Sequence, residues 1–372
     1  MKRSGRVLTP LGLQEGELEF AERVVAFRPL PVGQDSPYLL PGFIDLHVHG
    51  GGGADCMDGE EALRQMARFH ASHGTTALLA TTLTAAPPEL ERAVRAAGRV
   101  ERAPGPAESA VLGVHLEGPF LNPERLGAQP PWARDPDPGE VRSLERLATL
   151  RALTLAPELP GALELTAELA ARGIRVQLGH TAATAEQAEI ALRAGASGFT
   201  HLYNAMTGLR QRQPGVVAAA LARGRWAEVI GDGLHVERLA LLAALRAIPG
   251  LYLITDAMAA AGMPPGRYHL GGQAVLRRGA GAYLEGDGRT LAGSVLTLDQ
   301  ALRNLVSWGI GIELASALLS ARPAHYLGLP DRGHLVAGSR ADLVVLNSKL
   351  ELLEVFVAGL PVPGMPAASG AG

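Results

Sequence analysis

Apolar and polar positions change rhythm twice along the chain. Over residues 6–29 (RVLTPLGLQEGELEFAERVVAFRP) short apolar runs alternate with glycine and charged residues, which predicts small antiparallel strands. From PGFIDLHVHG onward, apolar runs of strand length are separated by Ala-, Leu- and Arg-rich stretches with helical periodicity. Eight runs read as strands, at residues 42–48, 75–80, 111–116, 152–156, 174–178, 198–200, 227–230 and 251–255. Helices are expected at 60–73, 89–102, 162–172, 185–194 and 236–247, and a further amphipathic helix over 297–319. After it, GHLVAGSRADLVVLNSKLELLEVFVAGLPV returns to the short-strand texture of the start.

Eight alternations of strand and helix predict an α/β protein, a (β/α)₈ TIM-type barrel over residues 42–330. An open doubly wound sheet alternates in the same way, and the placement of polar residues is what separates the two. The two ends, 1–41 and 331–372, are expected to form one small, discontinuous β domain. Residues 129–138 read as a Pro-rich turn and 364–372 (GMPAASGAG) as a tail prone to fray.

Composition removes several function classes. Aromatics are 4% of the residues and 34 Lys+Arg stand against 37 Asp+Glu, so there is neither a stacking platform nor a basic field for nucleic acid. Any phosphate must be recognised locally. Cys56 is the only cysteine, which excludes an internal disulfide and a thiolate metal cluster and suits a reducing compartment. MKRSGRVLTPLG has no apolar run like that of a secretory leader, and no uncharged apolar run reaches the roughly 20 residues of a membrane span. A cytoplasmic protein without membrane contact is expected.

Chemistry-bearing residues fall where the strands end. His47 and His49 close the first strand as H-x-H, and positions i and i+2 of a strand share a face. Glu117 ends the third strand, His180 the fifth and Asp256 the eighth, and His201 follows the sixth. A parallel barrel delivers all these ends to one mouth, so residues remote in sequence converge there. Glu117, His180 and His201 would supply a carboxylate and two imidazoles to a divalent ion and leave a position for water, as a catalytic site requires. Asp256 could then take a proton from that water and return it to a leaving nitrogen; its competing reading is a helix N-cap. His115 is either a partner of the metal ligands or a packed core histidine. His70 and His73 read as a solvated helix face, His269, His325 and His334 as structural, Asp45 as a structural partner, and Cys56 as incidental.

PGFIDLHVHG, HLEGPFLNPERLGA, TLAPE, QLGHT, THLYNAM, GDGLHV, TDAMAAAG and LAGS occur in that order between residues 41 and 294. With them the chain resembles the N-acetylglucosamine-6-phosphate deacetylase family of the amidohydrolase superfamily. The resemblance implies a sugar-phosphate substrate, one or two divalent cations (zinc or iron) per chain, and a homodimer. It implies metal binding by Glu117, His180 and His201, acid–base catalysis by Asp256, and substrate contacts from Ala128, Asn204, Ala205, Arg212, His235, Leu291, Ala292 and Gly293. Gln129 stands where family members often carry His. His47 and His49, which some members lack, open the way to a second ion. The competing readings are an amidohydrolase of N-acyl amino acids or cyclic amides, and a barrel that binds without catalysis.

Overall fold

Barrel strands are buried on both faces, so they are written as continuous apolar runs with a few enclosed polar residues. In the computed structural model, which describes residues 1–33 and 35–363, the first of them, β1 (Phe43–Val48), is buried at every position. The tail expected to fray, 364–372, lies outside the described residues. The other seven are β2 (Thr75–Thr82), β3 (Ala110–Glu117), β4 (Leu150–Leu155), β5 (Arg175–Leu178), β6 (Gly198–Phe199), β7 (Trp226–Ile230) and β8 (Gly250–Ile254). Every expected strand is present, its ends displaced by no more than two residues.

β1 through β6 form one parallel sheet and β7 pairs parallel with β8. The two arcs close into a ring through main-chain hydrogen bonds. Leu202 N donates to Glu228 O at 2.9 Å between the β6 end and β7, and Asp256 N donates to His47 O at 2.9 Å between the β8 end and β1. One helix follows each strand, from Glu60–Ser72 after β1 to Leu298–Ser307 after β8. Their ends carry local signals: Ala185–Ala194 starts on a reciprocal Thr184–Gln187 capping box and stops at Gly195, whose φ of 119° only glycine adopts readily.

Three expectations need correction. The helix expected over 297–319 is two, Leu298–Ser307 and Ile312–Leu319, because Gly309 turns left-handed at φ 89° and ends the first. Pro138–Glu145, Val216–Arg223 and Ala321–Leu327 are helices the sequence reading left out, the first starting at a Pro taken for part of a turn. An antiparallel three-stranded sheet (Gly266–Leu270, Gln273–Arg278, Gly281–Leu284) also stands in the long connection after β8.

The terminal segments share a seven-stranded sheet. Tyr38–Pro41 lies between Lys2–Thr9, which it pairs with in parallel, and Leu343–Leu346, antiparallel. Val7, Leu18, Phe20, Leu39, Leu343 and Phe356 form a core of its own. Tyr38–Pro41 runs directly into β1, so the sheet anchors the strand that carries H-V-H.

His70 is not on a solvated face. It is fully buried, and its Nε2 donates to Gly50 O at 3.0 Å, fixing the turn that follows His49. His73 is hydrogen-bonded to Asp299 Oδ1 at 3.2 Å. Burial, reinforced by the charge of His73 and opposed by Asp299 and the Gly50 carbonyl, lowers the His70 pKa to about 4. The unfolded chain takes up a proton near pH 6.5 that the folded protein refuses until about pH 4, so stability falls as pH drops through that window. Denaturant unfolding of wild type and His70→Gln at pH 7.5 and 5 should show a loss on acidification that is smaller in the variant by on the order of 1–3 kcal/mol. Equal losses would contradict a neutral, buried His70.

Candidate active site

Glu117 is the last residue of β3, and its side chain is enclosed at the centre of the barrel mouth. His180 and His201 lie just beyond β5 and β6. Glu117 Oε1 is 3.1 Å from His180 Nε2 and 2.9 Å from His201 Nε2, and the two nitrogens are 3.0 Å apart. β1 brings in the second pair, with His47 Nε2 and His49 Nε2 3.2 Å apart. Asp256 Oδ1 completes the cluster at 3.2 Å from His49 Nε2 and 3.5 Å from His47 Nε2. Glu117 joins the halves, since its Oε2 is 3.3 Å from His49 and its Oε1 3.4 Å from His47.

The rings are aimed from behind. His180 Nδ1 donates to Arg125 O at 2.8 Å, His49 Nδ1 to Thr81 O at 3.0 Å, and His47 Nδ1 to Glu228 Oε2 at 3.0 Å. Each bond leaves Nε2 as the nitrogen facing the cluster. The backbone is unusual at the same residues: His180 (φ 48°), His201 (27°), Ala205 (50°) and Asp256 (51°) all occupy the left-handed region. Such conformations cost about 1–3 kcal/mol each and persist where surrounding structure imposes them, commonly at functional sites.

Burial pushes the Glu117 carboxyl up, but the charges of His47 and His180 and the hydrogen bonds from His180 and His201 outweigh it and hold the group well below the usual range. Asp256 follows the same logic. Burial raises it, and the His49 hydrogen bond with the charges of His47, His49 and His201 brings it down to about 2. Both carboxylates are therefore anionic at neutral pH, and the cluster presents a buried negative centre ringed by nitrogen donors.

These donors fit a divalent cation. Ligands about 2.0–2.1 Å from an ion in tetrahedral array lie about 3.3–3.4 Å from one another. The five measured separations among His47, His49, Asp256 and Glu117 run from 3.2 to 3.5 Å, and those among Glu117, His180 and His201 from 2.9 to 3.1 Å. Mixed imidazole and carboxylate donors suit zinc or iron.

A cavity of about 420 Å³ opens above the cluster. It is lined by the expected residues Ala128, Asn204, Ala205, His235, Leu291 and Gly293 together with His49, Glu117, His180, His201 and Asp256. Asp232 Oδ2 holds His235 Nδ1 at 2.6 Å; burial alone would lower His235, and Asp232 raises it instead. Two expected contacts are not on this wall. Ala292 is fully buried behind it, in an apolar cluster with Met258 and Leu270. Arg212 is exposed and lines a neighbouring cavity with Arg210, and Arg125 borders both spaces.

The other polar candidates have settled places. His115 is buried between Leu46 O (3.1 Å) and Thr154 Oγ1 (2.8 Å), with its ring edge-on to His47. Asp45 accepts from Thr255, His325 packs against Trp226, His334 bonds Arg332 O, and the buried Cys56 thiol donates to Thr81 O. Gln129 donates from Nε2 to Glu117 Oε2, and its Oε1 accepts from Thr84 N at 2.7 Å. Sequence reasoning missed Glu228 behind His47, although a glutamate inside the apolar run WAEVI was a signal.

Buried imidazoles and carboxylates at the C-terminal mouth of a closed parallel barrel form the architecture of a metal-assisted hydrolase. The sequence pattern of the amidohydrolase family matches residues 38–362, and the chain belongs to that family. It is 41% identical over 371 residues to N-acetylgalactosamine-6-phosphate deacetylase of Escherichia coli O157:H7, covering 96% of this chain and 97% of that protein. It is 40% identical over 330 residues to N-acetylglucosamine-6-phosphate deacetylase of Lysinibacillus sphaericus, covering 87% and 84%. Among solved structures, a mutant N-acetyl-D-glucosamine-6-phosphate deacetylase of Mycobacterium smegmatis in complex with N-acetyl-D-glucosamine-6-phosphate superposes with a TM-score of 0.91 at 38% identity, over 97% of this chain and 99% of that one. The Thermotoga maritima N-acetylglucosamine-6-phosphate deacetylase gives 0.89 at 31%, over 97% and 99%.

Removing the carboxylate shared by both halves of the cluster should abolish tight metal retention. Metal analysis of purified Glu117→Ala after dialysis is expected to find far less divalent metal than in wild type; equal content would place the ion elsewhere.

Proposed function

We propose that this protein hydrolyses the acetamido bond of N-acetylglucosamine-6-phosphate, releasing glucosamine-6-phosphate and acetate. The reading is carried by the cluster of Glu117, His180, His201 and Asp256 on the floor of a sugar-sized cavity, in a chain about 40% identical to hexosamine-6-phosphate deacetylases. It places the reaction in amino-sugar catabolism or recycling.

Glu117, His180 and His201 would hold the principal divalent ion, zinc or iron, and His47, His49 and Asp256 a second. When bound, such an ion acidifies water and polarises the amide carbonyl. Asp256, ionised at neutral pH and at the mouth of the barrel, takes the proton of the attacking water. As the carbon–nitrogen bond breaks it passes that proton to the departing nitrogen, so the amine leaves neutral with acetic acid, which keeps the water oxygen and releases its remaining proton to solvent to become acetate. Asn204, His235 and the main chain at Ala128, Ala205 and Leu291 to Gly293 orient the sugar, with Ala292 backing the wall. Arg212, in the adjoining cavity, would meet the 6-phosphate where Arg125 borders both spaces.

A cytoplasmic homodimer accompanies this reading. The buried free thiol of Cys56 suits a reducing compartment, and the dimer rests on the family resemblance. No helix among the described residues is long and apolar enough to cross a membrane.

A second reading keeps the chemistry and changes the epimer, since the Escherichia coli relative is named for the galactosamine substrate. Comparing kcat/KM for the two N-acetylhexosamine-6-phosphates decides between them, and acetate release from neither would contradict both.

Asp256→Asn keeps the shape but cannot take the proton, so kcat should fall by roughly 10²-fold or more while substrate still binds. A kcat within a few-fold of wild type would assign the proton to another group. Arg212→Ala tests the phosphate. Loss of a charge-assisted bond should lower kcat/KM for the phosphorylated sugar roughly 10- to 150-fold, mostly through KM, and leave N-acetylglucosamine itself unchanged. Equal effects on both sugars, or none, would remove Arg212 from the phosphate site.

A further inference from the structure

Glu228 lies in the middle of β7 with no exposed surface, and its one ion-pair partner among the described residues is His47. Four donors converge on it. Oε2 receives His47 Nδ1 at 3.0 Å and His201 N at 3.4 Å; Oε1 receives Gln177 Nε2 at 3.0 Å and Tyr252 OH at 3.2 Å. An apolar side chain would fill this interior position without the cost of enclosing a carboxylate. The group serves something beyond packing.

We infer that Glu228 is a positioning residue that fixes His47 as a ligand for the second divalent ion, an inference resting on the two-ion reading above. When a cation displaces the hydrogen through which His47 Nε2 pairs with the carboxylates, Nδ1–H stays committed to Glu228 Oε2 and the lone pair is at Nε2, which faces His49 Nε2 at 3.2 Å, Glu117 Oε1 at 3.4 Å and Asp256 Oδ1 at 3.5 Å. Without that commitment the ring is free to carry its hydrogen on Nε2, where it would point at the ion. Glu228 also supplies negative charge behind a pocket that would otherwise set two cations against only Glu117 and Asp256. The first ion does not depend on this bond, because His180 is aimed by Arg125 O and Glu228 meets His201 only through its main chain.

Glu228→Gln separates these roles by its hydrogen-bond geometry. Gln177 cannot easily turn to accommodate a new amide, since its Oε1 already accepts from Thr200 Oγ1 at 3.0 Å. An amide nitrogen in place of Oε1 would therefore meet the Gln177 amide donor head-on. The alternative orientation presents N–H to His47 Nδ1 and moves the ring hydrogen to Nε2. The first orientation pushes the side chain off His47 and removes its charge, the second reverses the bond to His47, and neither touches the side chains of Glu117, His180 and His201.

Equilibrium dialysis of metal-stripped protein against Co(II), with metal analysis and the visible Co(II) spectrum, tests this directly. Wild type should take up two ions, and Glu228→Gln should bind the first with unchanged affinity and the second roughly 10- to 100-fold more weakly. Equal affinity for the second ion in both proteins, or equal weakening of both ions, overturns the inference, the latter assigning Glu228 to structure alone. Wild type that saturates at one ion overturns the two-ion reading itself. If the Gln variant does not fold, Glu228→Asp is read in its place. It keeps the charge but withdraws it by one methylene, so second-ion affinity should fall while the first is kept, and an unchanged second ion counts against Glu228.

Discussion

Glu117 is a buried carboxylate, and among the described residues no lysine or arginine pairs with it. Among the described residues its ion-pair partners are four histidines: His47, His49, His180 and His201. A bare charge in such a place is expensive, and rings free to turn would not compensate it. The rings are not free. Three are tethered through Nδ1, to Thr81 O, Arg125 O and Glu228, so their Nε2 atoms are committed to the carboxylate before any ligand arrives. That pre-organisation suits the cluster to the proposed cation rather than leaving it a set of adjacent polar groups.

The closed parallel barrel makes this arrangement possible. β1 and the residue just past its end carry two of the histidines and also form the seam with the segment after β8: Asp256 N bonds His47 O, and His49 N bonds Ala257 O, both at 2.9 Å. The carboxylate proposed to move the proton is thus stitched by its own backbone to the proposed ligands of the second ion. Left-handed backbone at His180, His201 and Asp256 turns the chain sharply after each strand and holds these side chains at the mouth. The connection after β8 adds the roof, bringing Leu270, Leu291 and Gly293 over the cavity.

Much of this was legible in the sequence because barrel strands have a strong local signature. Both faces of β1 to β8 are buried, so each strand is a compact apolar run, and the polar residues at their ends stand out as chemistry. Asp256 and the Glu117–His180–His201 set were visible for that reason. What stayed hidden depends on contacts between distant segments. His70 continues the Leu63, Met66, Ala67 stripe of its helix, so its burial could be read from the period, and only its approach to Gly50 shows what it holds in place. Glu228 interrupts an apolar strand, but its partner His47 is 181 positions away. The short helix Val216–Arg223 follows a Gly/Pro-rich loop and is Ala- and Val-rich, too brief and uniform to show a period. Arg212 was placed by motif alone, and in the fold it faces a separate space beside the cavity.

The strand ends converge on Glu117, on the function proposed above, to seat a metal ion. Anomalous diffraction from crystals of zinc-reconstituted protein tests this most directly. A strong zinc peak is expected in contact with Glu117, His180 and His201, at about 2.0–2.2 Å from each ligand atom. A fully active, zinc-loaded protein with no peak at Glu117, or with its zinc bound only at residues outside this cluster, would contradict it.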